Sequence, residues 1–530
     1  MKRYSLVVVV GLVLLILMAT FRCFGDGAKI LSIFGYPGPS QYIFILPLLK
    51  GLAQKGHQVV SISTFPQKEP LENFRDIAVM ENSKLFEKML EDFAGGSKKS
   101  YFSEFMNWAK TGRTMATNIM ENAEVKQMLA REKFDLIIVE IFFSEALVGL
   151  GEYFKAPVVT VSTFGTINFM DYLVRNPTPL SYIPHLALPY GNHMSLTERI
   201  HNVIMQTLDD LSFNYLRLPY QEELYKKYFP QASLTLDEAR QNISLVLLND
   251  HFTLRSARPY VPNMIEVGGL HIKRQPDPLP QDLQEIIDKS HQGVIYFSLG
   301  SNIKSKDLSK EKLQTFLEVF RKMEKYTILW KFEDDSLPNK PDNVVIRKWY
   351  PQPSLLAHPK VKLFISHGGY LSTTETTYHG KPILGIPLLG DQFMNVKNAV
   401  KAGYALSLSL EHVTAQSLEK TILELLTNPV YTRTVQKRSK QFRDTPLPPL
   451  ETAIYWIEYV LRHEGAVHMR NAGVNLSFIQ YHNIDVYLIL FVALVTVVKL
   501  VIVFFRLMRK IVITGSHEEG KFNKKKTKVN

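Results

Sequence analysis

The stretch from residue 349 to residue 392 carries side chains and backbone suited to a phosphate and to hydroxyl groups. His367 is followed directly by two glycines, and the absence of Cβ atoms lets the backbone of such a turn approach a ligand closely. A helix that starts at this turn would offer unpaired N–H groups and the positive end of its dipole to an anion. Glu375, Asp391 and Gln392 add acceptors and donors for hydroxyl groups. The combination indicates a nucleotide-sugar site.

The elements that must position these groups can be predicted from the same stretch. Val361 to Ser366 is a mostly apolar run that predicts a buried strand, and Tyr370 to His379 fits about three turns of helix that end at Gly380. Pro382 to Pro387 predicts the next buried strand, and Asp391 lies just past its carboxyl end. Ligands of open α/β sheets bind outside the carboxyl ends of the strands, so the site is expected at that edge.

The residues of this stretch that carry a family resemblance stand in the order Trp349, Pro351, Gln352, His367, Gly368, Gly369, Glu375, His379, Gly380, Pro382, Pro387, Asp391 and Gln392. Together they resemble the signature of the family 1 UDP-glycosyltransferases, which include UDP-glucuronosyltransferases and UDP-glucosyltransferases. The helix start from Tyr370 to Glu375 is more similar to membrane-bound insect members than to vertebrate ones. The resemblance implies the GT-B fold, an α/β architecture of two Rossmann-like, doubly wound domains that face a cleft.

The resemblance also implies an inverting transfer of a hexose, with glucose the expected sugar, from a UDP-sugar to the hydroxyl group of a small lipophilic acceptor. The donor-binding residues of the family map onto Ser301 (after Gly300), Trp349, Gln352, His367, Gly369, Ser372, Glu375, Asp391 and Gln392. By this mapping Trp349 would stack on uracil, and Glu375 would accept from both ribose hydroxyls. His367 and the amides near Gly369 would bind the diphosphate, and Asp391 with Gln392 would bind the sugar.

The sequence contains no motif that is typical of a metal-binding site. The sequence contains no D-x-D pair and no His/Cys cluster with metal-ligand spacing. The leaving UDP would then be stabilised by His367 and helix amides. We therefore expect a metal-independent enzyme with no cofactor, in which the UDP-sugar is a co-substrate.

The usual catalytic base of this family is replaced. Where relatives carry Ser-His after the first strand, Ser40 is followed here by Gln41, and an amide cannot take a proton at neutral pH. The acidic partner of that histidine falls at Glu140, where Asp is commoner in vertebrate members. Glu140 could act as the base directly or through water, or the acceptor could be a phenol acidic enough to need only positioning. As the third alternative, the chain is a catalytically impaired UDP-sugar or lipophile-binding protein that assists active relatives.

With 530 residues and 46% hydrophobic content, the chain can bury two cores. Strand-like runs alternate with helical stretches on both sides of a polar, proline-rich loop at residues 271–280. The predicted strands are Lys29–Phe34, Gln58–Ser63, Asp135–Glu140, Val158–Val161 and Leu245–Leu248, then Val294–Leu299, Thr327–Lys331, Val344–Ile346, Val361–Ser366 and Ile383–Ile386. We predict an acceptor-binding domain over 26–270, a linker over 271–290, a UDP-sugar-binding domain over 291–440, and a return helix (within Glu451 to Leu461) and juxtamembrane segment over 441–485.

The two ends of the chain indicate a membrane protein. Residues 1–25 have the basic start and apolar run of a signal peptide, although the run is long enough for an uncleaved anchor, and they include the only cysteine, Cys23. The twenty-residue, mostly apolar run Val486 to Phe505, which Lys499 interrupts, would span about 30 Å as a helix, which matches a bilayer core. The tail over 506–530 carries a net charge of +6, and only +3 of the total +12 belongs to residues 26–505. The high pI therefore reflects membrane topology, not nucleic-acid binding.

Basic residues after the span place the tail in the cytosol and the large domain in the lumen, as in a single-pass type I protein. The last five residues resemble a KxKxx signal for retrieval to the endoplasmic reticulum, or they form a plain basic tail beside anionic lipid. Asn242 and Asn475 begin N-x-S triplets that accept glycans in lumenal proteins. Tyr101 to Met115 and Phe164 to Tyr172 could line an apolar acceptor pocket, and helical packing explains these stretches equally well. Association with itself or with related enzymes is left open.

Overall fold

The computed structural model describes residues 27–94, 101–188, 190–255 and 257–526. The predicted signal peptide over residues 1–25, with Cys23, lies outside the described residues, as do residues 527–530 of the basic tail. The chain forms two compact units, one that ends at Asn471 and one that begins at Ala472.

The first domain is built on seven parallel strands within the described residues, in the order β3-β2-β1-β4-β5-β6-β7. These strands are β1 (Lys29–Phe34), β2 (Gln58–Ser63), β3 (Phe74–Ala78), β4 (Leu136–Glu140), β5 (Val158–Ser162), β6 (Leu245–Leu248) and β7 (Met264–Glu266). The central strands are buried on both faces and consist almost wholly of aliphatic residues, as expected for a parallel sheet covered by helices.

The second domain is built on six parallel strands in the order β10-β9-β8-β11-β12-β13, again counting described residues. They are β8 (Val294–Ser298), β9 (Thr327–Lys331), β10 (Val344–Arg347), β11 (Val361–Ser366), β12 (Ile383–Gly385) and β13 (Ala405–Ser407). In each domain the strand order reverses beside the first strand, which defines a Rossmann-type sheet. Two such sheets confirm the doubly wound α/β architecture expected for the GT-B fold.

The helices cover both faces of each sheet. In the first domain they are α1 (Pro39–Gln54), α2 (Met80–Ala94), α3 (Tyr101–Glu121), α4 (Ala123–Arg131), α5 (Gly149–Phe154), α6 (Asn168–Val174), α7 (Leu196–Ser212), α8 (Leu218–Tyr228) and α9 (Leu236–Gln241). The later helices are α10 (Gln281–Asp288), α11 (Lys310–Lys322), α12 (Gln352–Ala357), α13 (Tyr370–His379), α14 (Gln392–Lys401), α15 (Ala415–Thr427), α16 (Pro429–Arg443), α17 (Pro449–Arg462), α18 (Phe478–Tyr481) and α19 (Ile484–Lys526).

Each strand predicted from the sequence is present, and its ends differ from the prediction by at most one residue. The strands that were not predicted are β3, β7 and β13, which all lie at sheet edges. Within the segment predicted as a linker, α10 buries Leu283 and Ile287 in the core of the second sheet. The packing of the second domain therefore includes part of that segment.

The return helix α17 follows the second domain in sequence but packs against the first. Its side chains Ala453, Ile457 and Val460 are fully buried in the core that lies between the first sheet and α1. Gly51 of α1 admits this contact, because a Cβ atom there would lie 2.7 Å from Cδ1 of Ile454. The first domain thus takes part of its core from a helix almost two hundred residues beyond its last strand.

The second unit contains the long helix α19. Its segment Ile484–Thr514 contains an eighteen-residue window with a mean hydropathy of 3.1, and none of that window is buried inside the protein. The predicted span over 486–505 lies within this segment. Its length and exposed apolar surface fit a helix that crosses a bilayer.

The contact of α17 can be tested with Ile457→Ala, which removes a fully buried side chain. We expect the free energy of unfolding to fall by about 2–5 kcal/mol, because the deletion leaves a cavity in the first domain's core. Urea unfolding of the purified full chain, followed by tryptophan fluorescence, measures the change. Tyr455→Ala is the matched control, because Tyr455 lies on the same helix and its side chain is 44% exposed. Equal effects of the two substitutions would contradict the packing.

Candidate functional site

The candidate site lies at the carboxyl ends of β8 and β11 in the second domain. The ring of His367, directly after β11, lies between two glycines. A Cβ atom would lie 2.5 Å from Nε2 of His367 if it were added at Gly300, and 2.4 Å if it were added at Gly369. A side chain at either position would therefore displace the imidazole. Desolvation by the surrounding protein lowers the pKa of His367 to about 4. The imidazole is therefore neutral near pH 7.

Helix α13 begins immediately after this turn, as the sequence predicted. Gly368 has a φ of +78°, which turns the backbone sharply, and Gly369 occupies the N-cap position without a side-chain cap. Uncapped N–H groups of the first turn are therefore free to bind an anion beside His367. This turn can bind a phosphate through backbone amides, the helix dipole and a neutral imidazole.

Three of the predicted donor residues form one hydrogen-bonded network. Nε2 of Gln352 donates to Oε2 of Glu375 at 2.7 Å and to Oγ of Ser372 at 3.1 Å. The hydroxyl of Tyr296 donates to Oε1 of Gln352 at 3.2 Å, and Nε2 of His271 lies 3.1 Å from Oε1 of Glu375. Both carboxylate oxygens of Glu375 therefore already have a protein partner.

Sequence analysis did not find Tyr296 and His271 as members of this network. Tyr296 lies inside the predicted strand β8 and was counted with its apolar residues. His271 was placed in the linker, although its ring is buried and 104 residues separate it from Glu375. The only sequence feature that could have indicated a role for His271 is its position directly after the last apolar residue, Leu270, of the predicted first domain.

Trp349, three residues before Gln352, is 58% exposed. Nζ of Lys331 lies 5.6 Å from the centroid of the Trp349 ring. Lys331 itself is paired with Glu333 at 2.6 Å. The exposed indole can therefore stack on a planar ligand without any rearrangement of the core.

Asp391 and Gln392 stand at the start of α14 and are attached to the same turn. Oδ2 of Asp391 accepts from Asn395 at 2.7 Å, and Asn395 also donates to the carbonyl oxygen of Gly368 at 3.1 Å. Burial raises the pKa of Asp391. Oε1 of Gln392 accepts from the amides of residues 388 and 389 at 2.9 and 3.0 Å, so its carbonyl oxygen is engaged within the loop. Only the NH₂ group of Gln392 is available for a ligand.

The two domains meet next to this turn. Oγ of Ser301, which follows Gly300, lies 3.3 Å from Oγ of Ser40 at the start of α1. The residue after Ser40 is Gln41, and the first turn of α1 therefore faces the candidate phosphate site. This contact places the start of α1, which includes Gln41, next to the second domain.

Gln41 and Glu140 are both buried in the first domain but are not hydrogen-bonded to each other. Oε1 of Gln41 has no hydrogen-bond partner and packs close to Gly38. Oε1 of Glu140 accepts from the hydroxyl of Thr163 at 2.7 Å, whereas Oε2 has no partner. Burial raises the pKa of Glu140 to about 7. Glu140 is thus a carboxyl group that gains and loses a proton near neutral pH.

An aromatic cluster adjoins Glu140. The ring of Tyr36 lies 5.2 Å from Phe86, 6.0 Å from Trp108 and 4.9 Å from Phe142, and Phe142 lies 4.9 Å from Phe164. The two stretches considered for an acceptor pocket contribute Trp108 and Phe164 to it. Tyr36 and Phe86 are buried, whereas Trp108, Phe142 and Phe164 are half-buried. These three half-buried rings form the part of the cluster that an apolar ligand could contact.

The remaining predictions for site residues concern metals and glycans. No group of three or more His, Cys, Asp or Glu side chains in the described part of the chain is arranged to hold a metal ion. Asn242 is exposed, and its side-chain oxygen accepts from the guanidinium of Arg470. Asn475 is exposed as well. Glycosylation at these positions stays a prediction.

Comparisons with known proteins identify similar sequences and folds. The profile of the UDP-glucuronosyl and UDP-glucosyl transferase family matches residues 45–518. UDP-glycosyltransferase UGT5 of Dactylopius coccus is 35% identical over 479 residues, which cover 89% of this chain and 90% of that protein. UDP-glucuronosyltransferase 2B17 of Homo sapiens is 28% identical, over 87% of this chain and 90% of its own length. The insect-like resemblance agrees with these similarities.

Two solved structures share the fold. The glycosyltransferase of kitacinnamycin superposes with a TM-score of 0.55 at 13% identity, over 82% of this chain and 99% of its own. The glycosyltransferase VinC, solved in complex with dTDP, gives a TM-score of 0.54 at 16% identity, over 82% of this chain and all of its own. At this level of identity the similarity establishes the GT-B fold alone.

The close contact between Gly369 and His367 can be tested by adding one methyl group. Gly369→Ala would force the imidazole out of position, and overpacking of this kind costs about 1–3 kcal/mol. We expect the dissociation constant of UDP, measured by calorimetry on the full chain, to rise roughly tenfold or more. Gly191→Ala is the control, because the only atom closer than 3 Å to a Cβ atom there is Nζ at the flexible end of Lys401. An equal loss of affinity in both variants would refute the role of the contact.

Proposed function

Because the chain belongs to the UDP-glucuronosyl and UDP-glucosyl transferase family, we propose that it transfers glucose from UDP-glucose to the hydroxyl group of a small lipophilic acceptor, with inversion at the anomeric carbon. Family membership makes it a UDP-sugar glycosyltransferase. Glucose is proposed as the sugar because UDP-glucosyltransferase 2 of Dactylopius coccus, which is 34% identical over 90% of this chain, carries that name. The turn formed by His367 and the start of α13 is the observation that carries the proposal.

In the proposed donor complex, the diphosphate contacts the amides of the first turn of α13 and the neutral imidazole of His367. The exposed indole of Trp349 stacks on uracil, and the network of Gln352 and Glu375 binds the ribose. Asp391 accepts from sugar hydroxyls, and the NH₂ group of Gln392 donates to them. The charge that develops on the leaving UDP is then stabilised by hydrogen-bond donors and the helix dipole. Metal independence stays a prediction.

In the proposed transfer, the acceptor lies on the aromatic cluster around Tyr36. Its hydroxyl proton passes to Oε2 of Glu140, and its oxygen attacks the anomeric carbon. The bond from that carbon to the diphosphate oxygen breaks, and UDP leaves with the bonding electrons. Glu140 suits this role, because one oxygen is fixed by Thr163 while the other has no partner, and because its pKa is raised to about 7.

The second candidate function is that of a UDP-sugar or lipophile-binding protein with little turnover. The observation that favours it is Gln41, whose buried amide cannot accept a proton and has no bond to Glu140. A phenolic acceptor would reconcile this amide with catalysis, since a phenol needs positioning more than it needs a base.

Membrane attachment through the apolar helix α19 is consistent with the similarity of this chain to mammalian UDP-glucuronosyltransferases. We propose that the large unit lies in the lumen of the endoplasmic reticulum and that the basic tail lies in the cytosol. The positive charge after the span and the exposed Asn242 and Asn475 support this orientation. Association with related enzymes stays a prediction.

Substitutions at Gln41 and Glu140 distinguish these functions. We expect microsomes with the wild-type chain to transfer glucose from UDP-glucose to members of a panel of phenols and alcohols. Because Glu140→Gln removes the base, transfer to alcohols should fall roughly a hundredfold or more. Full activity of Glu140→Gln would exclude this carboxylate as the base. Donor binding without turnover in the wild type, with turnover restored by Gln41→His, would establish the binding-protein alternative.

The pKa of Glu140 predicts the pH dependence of transfer. Only the ionised carboxylate accepts a proton, and its ionised fraction rises as pH rises through about 7. With an alcohol acceptor, which does not ionise in this range, kcat/KM should therefore increase between about pH 6 and pH 8 and then level off. Steady-state rates in the wild type measure this profile. A profile that is flat or falls with pH would contradict Glu140 as the base.

A further inference from the structure

Asp250 is a buried carboxylate at the boundary between the two domains and is absent from the family signature described above. It follows β6, and its side chain is 2% exposed. Oδ1 accepts from the amide of His251 at 2.9 Å and from the hydroxyl of Tyr370 at 2.7 Å. Oδ2 accepts from the amide and the hydroxyl of Thr166 at 3.2 and 3.3 Å, and the guanidinium of Arg255 lies 3.9 Å away. The protein alone thus satisfies both oxygens.

Tyr370 connects this carboxylate to the donor site. It is the first residue of α13 and directly follows Gly369 in the turn that holds His367. Its ring is buried under the guanidinium of Arg255, 4.5 Å from the ring centroid, and its hydroxyl bonds to a residue 120 positions earlier in the chain. Asp250 therefore fixes the position of the start of α13 relative to the first domain.

The same group of residues holds the loop after β5 on the acceptor side. Arg255 donates to the carbonyl oxygens of Phe164 and Thr166 at 2.7 and 3.3 Å. Asn249 donates to the carbonyl oxygen of Thr163 at 2.9 Å. This loop presents the hydroxyl of Thr163 to Glu140 and the ring of Phe164 to the aromatic cluster. One buried network therefore contacts both halves of the reaction site.

We propose that Asp250 and Tyr370 are positioning residues for the transfer reaction, which hold the donor turn of α13 at a fixed distance from the loop that carries Thr163 and Phe164. The proposal rests on the proposed function, because the two halves must bring an acceptor oxygen against the anomeric carbon. A displacement of about 1 Å between reacting groups can cost roughly a hundredfold in rate. The donor contacts proposed above all lie within the second domain, whereas the Tyr370–Asp250 bond joins that domain to the first, so we expect its loss to lower the transfer rate more than the affinity for UDP.

The effect of the Tyr370 hydroxyl can be distinguished from that of its ring by comparison with a second buried tyrosine. Tyr404 is also buried, and its hydroxyl accepts from Thr377 of the same helix α13 at 3.2 Å. That bond lies wholly within the second domain. Tyr370→Phe and Tyr404→Phe therefore each remove one buried hydroxyl attached to α13, but only the first removes a bond between the domains.

The kinetic test compares the full-length wild type with Tyr370→Phe, Asp250→Asn, their double variant and Tyr404→Phe. We expect kcat for transfer to fall roughly tenfold or more in the first two variants. The dissociation constant of UDP and the midpoint of thermal unfolding should change no more than in Tyr404→Phe. The double variant should lose little beyond either single one, because the two side chains act through one bond. A kcat of Tyr370→Phe equal to that of Tyr404→Phe would overturn the proposal.

A distance measurement tests the positioning without catalysis. Spin labels are attached at Glu69→Cys in the first domain and Glu311→Cys in the second, both exposed positions, after replacement of Cys23 by serine. Double electron–electron resonance on the full chain should give a broader or shifted distance distribution in Tyr370→Phe than in wild type, and an unchanged one in Tyr404→Phe. An unchanged distribution in Tyr370→Phe would overturn the proposal. If the wild type bound UDP but transferred no sugar, the proposed function would fail while this measurement still decided the positioning.

Discussion

In both domains every strand is parallel to its neighbours, and helices cover both faces of each sheet. The central strands of such a sheet are buried on both faces, so ligand-binding groups lie at the ends of the strands. His367 follows β11, Ser301 follows β8, Glu140 ends β4, and Asp250 follows β6. The proposed transferase site therefore consists of residues at the carboxyl edges of two sheets. Its geometry depends on how the two sheets are held against each other.

Desolvation sets the charge of the groups at this edge. It makes the imidazole of His367 neutral at pH 7 and brings the pKa of Glu140 to about 7. In the proposed donor complex the turn offers the diphosphate N–H groups and a helix dipole, with no full positive charge from histidine. On the acceptor side, the same physical effect gives a carboxyl group that exists in both protonation states near neutral pH. Burial thus supports two different chemical roles on the two sides of the cleft.

The sequence was sufficient for the long buried strands and for the turn at His367, because apolar runs and paired glycines are local signals. It was insufficient for β7 and β13, since three residues are too few to show an alternating pattern, and for the half-exposed edge strand β3. The contacts of His271 with Glu375 and of Tyr370 with Asp250 could not be predicted either. They join residues more than a hundred positions apart, and no local periodicity reports such a pairing.

The path of α17 bears on how relatives of this fold can be recombined. The core of the first domain includes Ala453, Ile457 and Val460, although these residues follow the whole second domain in sequence. A chimera that joins the first 270 residues of one relative to the remainder of another would therefore place a foreign helix against α1. An exchange of the first domain with its own core intact needs two crossover points, one between the sheets and one before α17. The first 270 residues and α17 must therefore be exchanged together.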